Sequence, residues 1–364
     1  MTPKTHGGNP WALLDTQGSH PEEILDFSAD LNPSGPPESV SFLLQEGCKK
    51  VPWYPEPTYR DFREAAARFH GIDPSHILPG NGTAQLIHLI SRWQRKSRVA
   101  VVTPTFTEYE RAVTAEGGDL VPWPLQEENR FLPPALNGAL GLRGARLLFL
   151  CNPNNPTGTL WPMGELLQLI QTCEQAGTWI VVDEATMDLV EDRLRYSVVP
   201  FVKRFPHLIV LRSMTKSFSV PGLRIGYLAA SKRAVEELNS IQPPWAMNAL
   251  AAFVGAGLFK EERYLKDSRQ RIKELKHLLW EGLSTLPGLS PYPSEANFFL
   301  CRMTDPKGSN QGLAQKLQAQ GILIRTCDDF TGLARGQFIR LAVRRLEENG
   351  LLVEALRRFF SHAG

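Results

Sequence analysis

Between Arg98 and Ala229 the chain alternates short runs of β-branched and leucine-rich residues with stretches of helical character, and this alternation restricts the fold more than any other feature. Arg98-Val99-Ala100-Val101-Val102 reads as a buried strand, as do Leu147 to Cys151, Trp179 to Val182 and Leu208 to Arg212, with a helix from about Met163 to Ala176 among them. Continuous apolar runs of this length suit strands that are covered on both faces. Their alternation with helices predicts an α/β fold around a largely parallel sheet. Ligands of such sheets sit beyond the carboxyl ends of the strands. The residues that follow each run are therefore where chemistry is to be sought.

After the run Leu208 to Arg212 comes Ser213-Met214-Thr215-Lys216-Ser217, followed by Pro221-Gly222-Leu223-Arg224-Ile225-Gly226. A lysine amine attacks a carbonyl only in its neutral form. The hydroxyls of Ser213 and Thr215 and the guanidinium of Arg224 suit a phosphate. Alone, the stretch reads equally as a solvated surface lysine among serines. Upstream, Ile180-Val181-Val182 ends in Asp183, and Leu147 to Cys151 runs into Asn152-Pro153-Asn154-Asn155-Pro156-Thr157-Gly158. An acid at a strand end can keep a pyridine nitrogen protonated, and an Asn can bond a phenolic oxygen. Together with the lysine, these are the parts of a pyridoxal phosphate site.

In this order, Asn155, Asp183, Lys216 and Arg224 resemble the corresponding motif residues of the fold-type I pyridoxal-phosphate enzymes, in the branch that contains histidinol-phosphate aminotransferase and threonine-phosphate decarboxylase. The resemblance implies a large domain with a mostly parallel seven-stranded sheet and a smaller α+β C-terminal domain. It implies pyridoxal 5'-phosphate on Lys216, with Asp183 at the ring nitrogen, and a homodimer in which Tyr54 reaches the phosphate of the other subunit. Phe106, after the strand at Arg98, stacks on the ring by the same likeness. Leu78-Pro79-Gly80-Asn81-Gly82-Thr83-Ala84 reads as a glycine turn opening a helix, whose free N–H groups and dipole suit a phosphate. It resembles the cofactor's phosphate cup, with one departure: the decarboxylase relatives carry acidic residues where this chain has Thr83 and Ala84.

Residues 1–45 read as an ordered arm, 46–241 as the large domain and 242–364 as the small one. The arm holds His6-Gly7-Gly8-Asn9 and Asp26-Phe27-Ser28-Ala29-Asp30-Leu31-Asn32-Pro33-Ser34-Gly35. Glycines beside His6 let backbone N–H groups approach an anion, and Asn32, extended ahead of Pro33, is placed to present its amide. Both clusters resemble segments of the threonine-phosphate decarboxylases, which implies substrate contacts from His6, Gly7, Asn32 and Asn155. Beyond Ile241 long helices are expected, one from about Met247 and one from Glu261 to Ser284 with a stripe of Leu275, Leu278, Leu279 and Leu283. Two strands, Ile322 to Arg325 and Phe338 to Arg344, carry Arg325 and Arg340, whose geometry a sheet would fix for an anion. Arg344, Arg345, Arg357 and Arg358 are assigned to a solvated face.

Forty Lys and Arg against thirty-eight Asp and Glu leave a net charge of +2, which offers no electrostatic case for nucleic acid or an anionic membrane. A small phosphorylated amino acid is the expected partner. The five cysteines are scattered without a CxxC pair or zinc-ligand spacing, so no metal is expected and a reducing compartment is. The N-terminus lacks the apolar core of a signal peptide and no run reaches membrane-spanning length, so a cytoplasmic location is expected. The resemblance implies decarboxylation of L-threonine O-3-phosphate. Its alternatives are a histidinol-phosphate-type aminotransferase, an L-serine O-phosphate decarboxylase, and a pyridoxal-fold binding protein, the last opposed by the intact lysine. Transamination and decarboxylation differ only in which bond stands perpendicular to the ring.

Overall fold

The computed structural model of the chain describes residues 7–11, 21–134, 142, 144–305 and 308–361. Its strands are β1 (Leu25–Asp26), β2 (Ile77–Asn81), β3 (Arg98–Thr103), β4 (Asp119–Pro124), β5 (Leu147–Cys151), β6 (Trp179–Asp183), β7 (Leu208–Ser213) and β8 (Ile225–Ala230). They continue with β9 (Leu289–Pro291), β10 (Phe298–Met303), β11 (Ile322–Leu323), β12 (Arg325–Thr326) and β13 (Phe338–Ala342).

Seven strands form one sheet in the order β2-β8-β7-β6-β5-β3-β4. Only β8 runs antiparallel to its neighbours. The short connection from β7 to β8 carries Lys216 and has no room for the crossover that a parallel pair requires. The two edges, β2 and β4, hold Pro79, Pro122 and Pro124, where a missing N–H breaks no ladder. Strand alternation divides the core between the faces. Leu148, Leu150, Ile180, Val182, Leu208 and Val210 pack on one side, and Leu147, Phe149, Val181, Ile209 and Leu211 on the other.

The expected helix forms at Met163–Ala176, closed by Gly177 in the left-handed region, and a helix at Arg60–His70 is closed likewise by Gly71. The expected glycine turn at residues 78–82 proves to be the end of edge strand β2, and the helix Gly82–Trp93 starts directly from it. The first long helix beyond Ile241, Ala249–Leu258, packs on the large sheet's side: Gly255 lies under Phe62 and Ile225, and Gly47 and Gly257 interlock with Leu250 and Leu43.

A second, antiparallel sheet, β12-β13-β10-β9, lies toward the C-terminus beside the helices Glu262–Ser284 and Leu346–Ser361. Leu275, Leu279 and Leu283 face its core as the stripe predicts, but Leu278 is turned to solvent. The expected strand Ile322 to Arg325 is two short strands: β11 pairs with β1 of the arm, β12 with β13. The chain thus changes partner at Ile324, which brings the arm against the C-terminal sheet. Arg344 corrects its assignment to a solvated face. It is half-buried, bonds Glu348 and the Asp26 carbonyl, and lies over the Phe27 ring, so it too fastens the arm.

Candidate active site

The carboxyl ends of β2, β3, β5, β6 and β7 lie along one margin of the large sheet, and Gly82, Phe106, Asn155, Asp183 and Lys216 follow them there. Asp183 and Ser213 close adjacent strands on the same face. Glu184 and Arg212, one residue away, face the opposite side and form a buried ion pair with Asp188 as third partner.

Asp183 is buried, and its Oδ2 accepts the Tyr109 hydroxyl at 2.7 Å while Oδ1 accepts the Ala185 N–H at 3.0 Å. Burial pushes its carboxyl above the ordinary range, against the pull of the Tyr109 bond and the Lys216 charge. Tyr109 stacks on Phe149, with ring centres 5.0 Å apart, and Phe106 meets Tyr109 edge to face at 5.7 Å.

Asn155 lies in a turn organised by its neighbour Asn154, which bonds the Pro104 carbonyl, Thr105 and Thr157. This leaves the Asn155 Oδ1 to accept Arg340 Nη1 at 2.7 Å. Arg340 is buried over the Phe298 ring, donates to the Ser28 carbonyl at 2.6 Å, and has an Nε without a hydrogen-bond partner among the described residues. Arg325 stands opposite Arg340 in the ladder, and its Nη2 lies 2.8 Å from both carboxylate oxygens of Asp329.

The arm crosses between these groups. A Cβ on Gly7 would come within 2.0 Å of the Ser28 carbonyl oxygen, so only glycine fits there, and Gly8 N–H donates to Ser28 Oγ at 2.8 Å. His6 lies outside the described residues. The Asn32 amide is engaged within the chain: its Nδ2 lies 2.9 Å from the Ser217 carbonyl, the Tyr264 hydroxyl and the Ser268 hydroxyl, and its backbone N–H donates to the Lys216 carbonyl. It ties the arm to the lysine turn from within.

Sequence reasoning missed Asp30 and Tyr109. Asp30 forms an ion pair with Lys216 Nζ and lies 3.3 Å from Arg340 Nη2. Burial would raise its carboxyl, but the Lys216 and Arg340 charges hold it down at about 2. The available signal was a second carboxylate, Asp30, within the arm cluster already singled out, and a tyrosine one helical turn beyond Phe106.

On the opposite side, Gly82 has φ +74° and a Cβ there would meet Arg224 Nη2 at 2.8 Å. Gly226 is equally constrained, since its Cβ would lie 2.6 Å from the Thr83 nitrogen. The start of the helix Gly82–Trp93, with Thr83 and Ala84 in its first turn, therefore lies directly beneath the Arg224 guanidinium, and Ser213 and Thr215 flank Lys216 on the neighbouring turn. Tyr54 stands apart. It is 78 % exposed and stacks on Trp245, with ring centres 4.4 Å apart.

The aminotransferase class I and II family matches residues 23–356, and the chain belongs to that family of pyridoxal-phosphate enzymes. It is 36% identical to the threonine-phosphate decarboxylase of Salmonella typhimurium, over 97% of this chain and 95% of that protein. To the histidinol-phosphate aminotransferase of a Thermoanaerobacter species it is 31% identical, over 91% of this chain and 92% of that protein. Among solved structures it resembles L-threonine-O-3-phosphate decarboxylase from Porphyromonas gingivalis, with a TM-score of 0.84 and 26% identity over 93% of this chain and all of that one. The residues present fit pyridoxal 5'-phosphate. A helix start kept clear of side chains beneath a guanidinium suits its phosphate, a buried carboxylate suits its ring nitrogen, and a partly accessible lysine suits its aldehyde.

Proposed function

We propose that the chain decarboxylates L-threonine O-3-phosphate to (R)-1-amino-2-propanol O-2-phosphate, the aminopropanol phosphate of the cobalamin side chain, in the cytoplasm. The observation that carries this reading is the 36% identity to a threonine-phosphate decarboxylase over 97% of the chain, against 31% over 91% for the histidinol-phosphate aminotransferase.

When bound, pyridoxal phosphate supplies an aldehyde that takes up the substrate's amine and a ring that accepts the electrons left when the carboxylate departs. Lys216 provides the amine that holds the aldehyde. Asp183, kept dry and oriented by Tyr109, keeps a proton on the ring nitrogen. Asn155, itself oriented by Arg340, bonds the ring's phenolic oxygen, and Phe106 flanks the ring. Ser213, Thr215, Arg224 and the N–H groups of Thr83 and Ala84 at the Gly82 turn hold the cofactor's phosphate.

Arg340, whose Nε has no hydrogen-bond partner among the described residues, takes the substrate's phosphate, assisted by Arg325 and by His6 and Gly7 of the arm. The substrate carboxylate is then left without a charged clamp. A firmly paired carboxylate would resist loss, because it would forfeit a bond of about 1.5–3 kcal/mol.

Two organisational features accompany this reading. The arm spans 1–45, the cofactor-binding unit 46–241 and the smaller unit 242–364, with the helix Ala249–Leu258 crossing back onto the larger one. The enzyme is a homodimer in which Tyr54 of each protomer completes the phosphate site of the other. Phe42, Val51, Trp53, Tyr54 and Trp245 are large apolar residues exposed on the single chain, as expected of a covered surface.

The test is incubation with phosphothreonine, with and without 2-oxoglutarate, followed by product identification. Carbon dioxide and the amino-alcohol phosphate are expected without any oxo acid. Glutamate formed from 2-oxoglutarate, with no carbon dioxide, would install the aminotransferase instead. Serine phosphate lacks one methyl and is expected to be disfavoured by roughly 1–3 kcal/mol.

A further inference from the structure

Asp30 stands between the two cations that the proposed reaction uses for different purposes. Its carboxylate is buried, with Oδ2 on Lys216 Nζ and Oδ1 at 3.3 Å from Arg340 Nη2. The backbone around it is pinned. Asn297 Nδ2 donates to the Asp30 carbonyl at 3.0 Å and to the Leu31 carbonyl at 3.2 Å, while the Asn32 N–H donates to the Lys216 carbonyl at 3.0 Å. The backbone that carries the carboxylate is thereby held in place.

Once the Lys216 amine is bonded to an aldehyde, it no longer presents Asp30 with a free ammonium. Arg340 then remains as its cationic partner at 3.3 Å, but it is shared with Asn155 at 2.7 Å and the Ser28 carbonyl at 2.6 Å. A buried carboxylate that loses one of its two cations is disfavoured. The substrate carries one cation, its α-ammonium, and that nitrogen must arrive where the lysine nitrogen stood.

We propose, building on the amino acid phosphate reading above, that Asp30 is the specificity-determining residue for the substrate's α-ammonium, which it accepts in place of Lys216. In the exchange the substrate nitrogen sheds the protons that Lys216 regains, and Asp30 faces a cation before and after. Amine-free phosphates add anions beside Asp30 without relieving it, and are turned away.

The experiment uses Lys216→Met, which removes the lysine cation, loaded with 4-deoxypyridoxine 5'-phosphate, which has no aldehyde. Calorimetric binding of aminoethyl phosphate is compared with that of ethyl phosphate, a pair differing only in the ammonium. The amine ligand should bind about tenfold or more tightly, as for a charge-assisted bond. In Lys216→Met/Asp30→Asn the preference should vanish while ethyl phosphate binds as well or better, which also reports that the double variant is folded. A preference that survives Asp30→Asn, an equal weakening of both ligands, or no preference in Lys216→Met would overturn the proposal. L-alanine against L-lactate separates the two readings. If neither phosphate binds but alanine is preferred in an Asp30-dependent way, the phosphate substrate falls and the role of Asp30 stands.

Discussion

Tyr109 donates its hydroxyl to Asp183 Oδ2 at 2.7 Å, and both residues are buried beside the end of β6. This bond opposes the burial that raises the Asp183 carboxyl. Tyr109→Phe removes it, so Asp183 takes up a proton more readily and the acid limb of the rate profile moves to higher pH. A drop of about tenfold in kcat/KM is expected for one lost bond to a charged group. Rate against pH for both proteins checks this, and coincident acid limbs would reject it.

Asp30 makes stability depend on pH in the opposite sense to a buried, unpaired acid. Its folded value of about 2 lies below the ordinary aspartate value of 3.8, so its contribution is complete above 3.8 and is lost as pH falls through about 2. The shift corresponds to roughly 2 kcal/mol. In the cofactor-free protein Asp30→Asn should therefore be less stable in urea at neutral pH by about that amount, and the gap should close as pH falls from about 4 to about 2. A gap that does not change across this range would remove the ion pair as its cause.

Gly82 is required twice, by φ +74° and by the Arg224 guanidinium 2.8 Å from where a Cβ would stand. Gly82→Ala should cost about 1–3 kcal/mol in stability and push Arg224 away from the helix start. Pyridoxal phosphate affinity, titrated by absorbance, should fall about tenfold or more with the loss of one charge-assisted contact. Unchanged affinity would place the cofactor's phosphate elsewhere.

Tyr54 is exposed beside Trp245 on the single chain. If it serves the neighbouring protomer, Tyr54→Ala and Lys216→Ala should each be nearly inactive yet regain activity when subunits exchange, because one site of the mixed dimer holds both native residues. Sedimentation of a fully active monomer would defeat this.

The sequence by itself determined the sheet and the placing of its chemistry. Run length and alternation are local properties, and they put Asn155, Asp183 and Lys216 just past strand ends because an apolar run stops where the chain leaves the core. Only the tertiary structure decided what each buried polar group meets. Asn32 braces the lysine turn, Arg325 stands beside Asp329, and Arg344 grips the arm. Arg340 and Asn155 meet across 185 residues, and Asp30 reaches Lys216 across 186. A buried donor must find an acceptor, and which one it finds depends on how distant segments are packed together, a relation that no local periodicity records.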